Sequence, residues 1–318
     1  MFKLKKIKEI LNAELNGDPE KEISKIGTLS NYCNDSIIFS FNDSEIITAK
    51  DFGAIVVTKN NINSFPGENT LTVDDVRLSL ANLSKFFKEK NYNQIPLNES
   101  NYKNIIFGSN CFVGNNVTIG KNCDFGSNII IGSNCIIGNN VTLGHNVVIH
   151  SDSVISDSVT IDSGTIIGSE GFGNILTKNH HWHHIHHLGN VVIKNNVSIG
   201  SNCCIDRGTL ESTIINQGVI IDNLVHIAHN VQIGENTAIA AKTGIAGSTI
   251  IGKRNKIGGM VGIIDHIRTV DDVTISATST VNQNILEPGT YTGILPITKH
   301  SLWKRIAVRI KKLDKINK

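Results

Sequence analysis

From Phe107 the chain runs Phe107-Gly-Ser-Asn-Cys-Phe-Val113-Gly-Asn-Asn-Val-Thr-Ile119-Gly-Lys-Asn-Cys-Asp-Phe125-Gly126. An apolar residue followed by glycine returns every six residues. The apolar position continues through Ile131, Ile137, Leu143, Ile149, Ile155, Ile161 and Ile167, so that eleven consecutive hits from Phe107 share one register. The phase breaks across 169–190 and resumes at Ile193, Ile199 and Ile205. After a second slip it runs from Ile215 to Ile263, and at position 269 a threonine stands where an aliphatic is due. A fixed short period over this length is the mark of a solenoid, in which each coil buries its apolar side chains only against its neighbours. The glycine after each inward residue is expected to turn the corner, because glycine tolerates positive φ.

The repeat also explains the cysteines. Cys111, Cys123, Cys135 and Cys203 each fall four residues after a repeat aliphatic, the slot held elsewhere by Val117, Ile129, Val141 and Val197. They are expected to be small apolar fillers in a reducing compartment, not disulfide or metal ligands. Over 318 residues, 40% hydrophobic and 18% charged composition excludes a wholly disordered chain. A net charge of +2 gives no global reason to expect nucleic-acid binding. No apolar run approaches the roughly 18–20 residues of a spanning helix. The opening Met1-Phe-Lys-Leu-Lys-Lys interleaves charge with apolar residues, unlike a secretory leader. The expected location is the cytoplasm.

Three regions are expected: 1–97, 98–290 and 291–318. The first lacks the repeat and reads as a small α/β unit. Leu4, Ile7, Leu11 and Leu15 form a helical stripe, and Gly53-Ala-Ile-Val-Val57 reads as a buried strand. Thr72 and Asp75 form a capping box ahead of the apolar face Val73, Val76, Leu80, Leu83 and Phe87. Within 299–318, eight Lys/Arg face one acid, Asp314, and Trp303, Ile306, Ile310 and Leu313 make a stripe. That basic helix is either a solvated packing helix or a dock for an acidic partner.

Histidines are the best candidates for chemistry, since imidazole titrates near neutrality. Six of the twelve lie in His180-His-Trp-His-His-Ile-His-His187, inside the interruption. Their close repetition fixes no ligand geometry, so a solvated loop is expected there. His229 lies two residues past Ile227, Gly247 follows 18 residues later, and His266 falls near the same edge two coils on. A base, an exposed N–H and a second imidazole on one edge suit acyl transfer, although ordinary surface histidines would show the same spacing.

The motifs Asp206-Arg-Gly208, Asp222-Asn223, Ile227-Ala-His-Asn230, Thr243-Gly-Ile-Ala-Gly247 and Ile257-Gly-Gly259 resemble the UDP-3-O-acylglucosamine N-acyltransferase family of lipid A biosynthesis. Gly168-Ser-Glu-Gly-Phe-Gly173, Trp182, Leu188-Gly189, Val73-Asp-Asp-Val-Arg77 and Pro288-Gly289 extend the resemblance over nearly the whole chain. It implies a mainly β fold: a left-handed parallel β-helix of hexapeptide repeats, with a small N-terminal uridine-binding α/β domain and a C-terminal helix. It further implies a homotrimer with sites in clefts between prisms, a UDP-sugar substrate, and acyl carrier protein as the donor through its phosphopantetheine. No metal or other cofactor is implied. By the same resemblance His229 is the general base and Gly247 the oxyanion donor. His266 assists near the phosphopantetheine, and Asp222 and Asn223 orient the site. The family sets an aromatic, an asparagine and a tyrosine against the uracil. Phe39 and Asn42 match the first two, and Glu45 stands at the third. A second departure is His184-Ile-His-His187, where the family has Lys-Ile-Pro-Gln.

Two other functions compete. A sugar acetyl- or acyltransferase of the wider hexapeptide-repeat class would match in the repeat alone. A carbonic-anhydrase-like protein would share zinc among His226, His229 and His266 across a trimer interface. The 37-residue separation of the last two and the character of the first region argue against it.

Overall fold

In the computed structural model, residues 1–41, 52–58, 69–88, 95–96, 105–293 and 297–313 are described. From Ile106 to Tyr291 the chain winds as a triangular prism of three parallel sheets, with nine, seven and ten strands, and Ile95–Pro96 adds an antiparallel tenth strand to the first. The first face runs from Phe112–Val113 through Ile166–Ser169, Cys204–Asp206, His226–Ile227, Gly244–Ile245 and Gly262–Ile263 to Thr280–Val281. Successive strands pair with partners 18 residues on, Phe112 with Ile130 and Val113 with Ile131. This is the expected left-handed parallel β-helix of hexapeptide repeats. The inward column is dry: Ile131, Ile149, Ile167, Ile205, Ile227 and Ile245 are fully buried. Each such side chain contributes about 2–3 kcal/mol from burial, so the prism's stability is a sum of coil-on-coil contacts.

The corners are built differently from expectation. The left-handed residue is the asparagine two places after the glycine, with φ of 58° at Asn110, 57° at Asn116 and 56° at Asn122. Asparagine is the residue best suited to this region after glycine. These side chains also bond coil to coil, Asn110 Nδ2 donating to Asn128 Oδ1 at 3.3 Å and Asn128 Nδ2 to Asn146 Oδ1 at 3.0 Å. The repeat glycine serves close approach instead. A Cβ at Gly108 would lie 2.4 Å from the Ser127 nitrogen of the next coil.

Cys111, Cys123, Cys135 and Cys203 are buried fillers, as expected. Burial pushes the Cys135 thiol up to about 12, which leaves it without thiolate reactivity. Thr269 is buried and accepts from Asn255 Nδ2 at 2.6 Å and Gly252 N–H at 3.0 Å, so a polar pair replaces one aliphatic contact.

The first unit is a five-stranded sheet in the order Glu14–Asn16, Thr70–Val73, Ala54–Thr58, Ser36–Phe39, Lys25–Gly27. Helices α1 (Leu4–Leu11) and α2 (Val76–Phe87) pack against it. Two expectations shift. Helix α1 stops at Asn12, which is left-handed, and Leu15 falls in a strand. Thr72 is a buried strand residue, and α2 is capped by Asp75 alone, whose side chain accepts from Leu78 N–H at 2.9 Å. The buried strand expected at 53–57 is present as Ala54–Thr58. Ile185, Leu188 and Leu210 of the prism side pack against this unit's core.

Helix α3 (His300–Leu313) leaves Leu302, Trp303, Val308 and Ile310 exposed, so these residues do not pack on the chain's own core. Among the described residues no helix is long and apolar enough to cross a membrane.

Candidate active site

His229 stands at the corner between the first-face strand His226–Ile227 and the second-face strand Gln232–Ile233. Two insertions wall this corner. The first makes Ile155 and Ile193 partners across 38 residues instead of 18. The extra chain folds as a hairpin, Asn174–Leu176 against Trp182–His184. The second is a four-residue lengthening after Asp206, which carries Gly208 and Thr209 over the corner.

The imidazole's tautomer follows from its neighbours. Asn230 Oδ1 accepts the Thr209 N–H at 2.9 Å, which fixes the amide oxygen toward the ring. His229 Nδ1 lies 3.2 Å from that same oxygen and 3.4 Å from Thr209 Oγ1. An oxygen already acting as acceptor requires a proton on Nδ1, and Nε2 is left with its lone pair free. The free edge lies over Gly247, where a Cβ would meet His229 Nε2 at 2.7 Å and Cε1 at 2.6 Å. Only glycine fits beneath this ring. Its neighbours Ala246 and Ser248 donate to Ile263 O at 3.0 Å and His229 O at 2.9 Å, while the Gly247 N–H has no partner among the described residues. A free basic nitrogen can remove a proton, and an unspent N–H on the adjoining residue can donate to an oxyanion.

A family model described as bacterial transferase hexapeptide (six repeats) matches residues 110–145 and 212–247. The UDP-3-O-acylglucosamine N-acyltransferase of Vesicomyosocius okutanii subsp. Calyptogena okutanii (strain HA) is 49% identical, across 99% of this chain and 96% of its own. That of Ruthia magnifica subsp. Calyptogena magnifica is 47% identical over the same shares. The chain belongs to the UDP-3-O-acylglucosamine N-acyltransferase family. A solved UDP-N-acetylglucosamine acyltransferase from Campylobacter jejuni is similar over 67% of this chain and 83% of its own, at 22% identity and a TM-score of 0.45.

The other family-matched residues are not all gathered at this corner. Asp222 and Asn223 lie between Ile220–Ile221 of the third face and His226–Ile227 of the first, at the opposite end of the strand that leads to His229. They are exposed but tied down. Asn223 Oδ1 accepts Ser201 N–H at 2.7 Å, and Asp222 accepts Asn223 N–H at 2.7 Å and Ala241 N–H at 3.2 Å. His266 shares the His229 corner, where its N–H donates to Gly247 O at 3.0 Å. Its ring is exposed beside Asp265, 3.9 Å away, and it is Asp265 that continues the His229–Gly247 column. Phe39 is only 5% exposed. Phe41, parallel to it at 6.5 Å, offers the open ring face of the pair. Asn42 and Glu45 lie outside the described residues. One chain does not bring His226, His229 and His266 together as a metal cluster among the described residues.

Three site neighbours escaped the sequence reading. His187 is 1% exposed, its ring is 5.1 Å from that of His229, and neither of its nitrogens has a hydrogen-bond partner among the described residues. Burial, reinforced by His229, holds it neutral with its pKa lowered to about 4. Asp206 is buried and accepts from Ser169 Oγ at 2.8 Å. Gly171 closes the wall, since a Cβ there would touch Asp206 Oδ2 at 3.1 Å and His229 Cδ2 at 3.2 Å. The motifs containing Asp206 and Gly171 were the available signal. Their role depended on how the insertion folds back, which periodicity does not encode.

Proposed function

We propose that this acyltransferase moves a 3-hydroxyacyl chain from the phosphopantetheine thioester of acyl carrier protein to the 2-amine of UDP-3-O-(3-hydroxyacyl)glucosamine, giving the 2,3-diacyl product. The observation that carries the reading is His229, with Nδ1 held protonated by Asn230 and the Nε2 edge packed against Gly247, whose N–H has no partner among the described residues. The amine nitrogen attacks the thioester carbon as His229 Nε2 takes its proton. The oxyanion meets the Gly247 N–H, the C–S bond breaks, and the imidazolium returns the proton to the leaving sulfur. An amide and a free thiol result, with no metal needed for these steps.

Because Asp222 and Asn223 sit at another corner, they serve a neighbouring copy's His229 in this proposal, with three prisms side by side in a homotrimer. His266, exposed on the His229 corner, lies along the donor arm's approach. The 1–97 region takes the uridine through Asn42 and, because Phe39 is buried, through the exposed ring of Phe41 that stacks on it. The 98–290 prism carries the transfer, and the basic 291–318 extension attracts the acidic carrier protein. The absence of a spanning helix among the described residues fits action on a cytoplasmic substrate.

The test is acyl transfer followed by mass spectrometry, with 3-hydroxyacyl carrier proteins of several chain lengths and UDP-3-O-(3-hydroxyacyl)glucosamine. A diacylated product that disappears in His229→Ala supports the reading. Product formed only from acetyl coenzyme A would instead favour a sugar acetyltransferase of the wider hexapeptide-repeat class.

A further inference from the structure

The run expected as a solvated loop, His180–His187, is exposed from His180 to His184 and buried at His187, and it folds in a defined way. Its hairpin pairs Asn174 with His184, and the chain then turns back so that the His186 N–H donates to Ser84 Oγ of α2 at 3.1 Å. This folding selects two of the six histidines and aims both at one carboxylate. His184 Nε2 is 3.5 Å from Glu170 Oε2, and His186 Nδ1 is 3.2 Å from Glu170 Oε1. The three ligating atoms all lie within 4.8 Å of one another.

From these residues we infer that Glu170, His184 and His186 form a binding site for a divalent transition-metal ion, zinc by its donor set. Bonds of about 2.0–2.1 Å in tetrahedral geometry place neighbouring ligand atoms roughly 3.3 Å apart. The N···O separations here, 3.5 Å to Oε2 and 3.2 Å to Oε1, are of that size but involve different oxygens, so binding through one oxygen turns the carboxylate slightly. Two imidazoles with one carboxylate are donors that suit zinc, and they leave one position for water. The outer shell is also in place. His184 Nδ1 is 3.3 Å from Asn174 Oδ1, an arrangement that puts the proton on Nδ1 and turns the Nε2 lone pair toward Glu170. Lys88 Nζ, 3.0 Å from Glu170 Oε2, is the competing cation. Side-chain exposures of 38% for His184, 25% for His186 and 28% for Glu170 leave an entry path from solvent.

The site lies behind His187, whose ring is 6.4 Å from that of His184 and 5.1 Å from that of His229. Its three donors take no part in the proposed acyl-transfer steps, so the site stands whether or not the proposed substrate is right. An ion there would join the loop after Ile166–Ser169, the hairpin and the segment docked on α2, and so fix the wall that carries His187 against His229.

The experiment uses full-length, tag-free protein stripped with chelator and titrated with zinc against a competing chromophoric chelator, with cobalt absorption as a second readout. Wild type is expected to take up one ion per chain, with intense tetrahedral cobalt bands and a raised melting temperature. Glu170→Gln and His184→Ala/His186→Ala should lose the stoichiometric ion and the bands. Asn174→Ala, which touches no ion, should weaken binding about tenfold. The control His180→Ala/His181→Ala/His183→Ala should bind like wild type. Stoichiometric zinc retained without Glu170 or the 184/186 pair, or lost in the control, would overturn the site in favour of nonspecific binding by the tract. Absence of any stoichiometric ion in wild type would overturn it outright.

Discussion

The two corners flanking the strand His226–Ile227 share a backbone plan and differ in what they leave free. At the Asp222–Asn223 corner the side-chain oxygens are absorbed by backbone N–H groups of this coil and its neighbours. At the His229 corner the same kind of polar residue, Asn230, spends its oxygen on orienting an imidazole, and a ring nitrogen and a backbone N–H stay unspent. Repetition yields rigid corners everywhere. Reactivity arises where two insertions, 170–189 and 207–210, cover one corner and replace bulk water with side chains. A rigid corner can position a substrate, but only a corner with unspent groups can move its proton.

The comparison breaks most visibly at His229. His229→Ala should lower turnover by about 10³–10⁴-fold with an unchanged melting temperature, as checked by product formation and thermal unfolding. Gly247→Ala should follow at roughly 10²–10³-fold, because its Cβ displaces the imidazole and crowds the oxyanion position. Gly120→Ala, whose Cβ would meet the next coil's backbone 2.5 Å away and far from the site, should instead lower stability and spare turnover per folded molecule.

The wall over the His229 corner should make the protein acid-sensitive. In the folded state His187 titrates near 4, against about 6.5 when exposed. The unfolded chain therefore binds the extra proton between these values. Stability is full above about pH 6.5 and falls as the pH drops toward 4, by up to about 3 kcal/mol from this group. Chemical denaturation at pH 7 and pH 4.5 measures it, and His187→Gln should flatten the difference. The smallest effect is expected at the fillers. Cys135→Val, which installs the residue of equivalent slots such as Val141, should change stability by less than about 1.5 kcal/mol.

The prism was legible because an inward side chain every six residues is a direct imprint of its geometry, visible from Phe107 to Ile263. The reason for the glycines was not, since a requirement for close approach and one for positive φ select the same residue. Only the paired positions, asparagine left-handed and glycine under the next coil, separate the two. Leu15 and Thr72 show the usual limit of pattern reading, because apolar spacing and a cap signal ran past the true ends of α1 and α2. At the site, His229 and Gly247 were readable as an 18-residue pair. His187, Asp206 and the Glu170–His184–His186 cluster depend on the fold-back of an aperiodic hairpin, and no spacing rule reaches them.

The most direct test of the two-corner account is subunit complementation. His229→Ala and Asn223→Ala, each inactive alone, are unfolded together, refolded as mixed assemblies and assayed for acyl transfer. If Asn223 of one copy serves His229 of the next, mixed assemblies contain some fully intact sites and activity returns. If activity stays at the level of the separate variants although mixed assemblies form, the two corners do not meet between copies, and the account is contradicted.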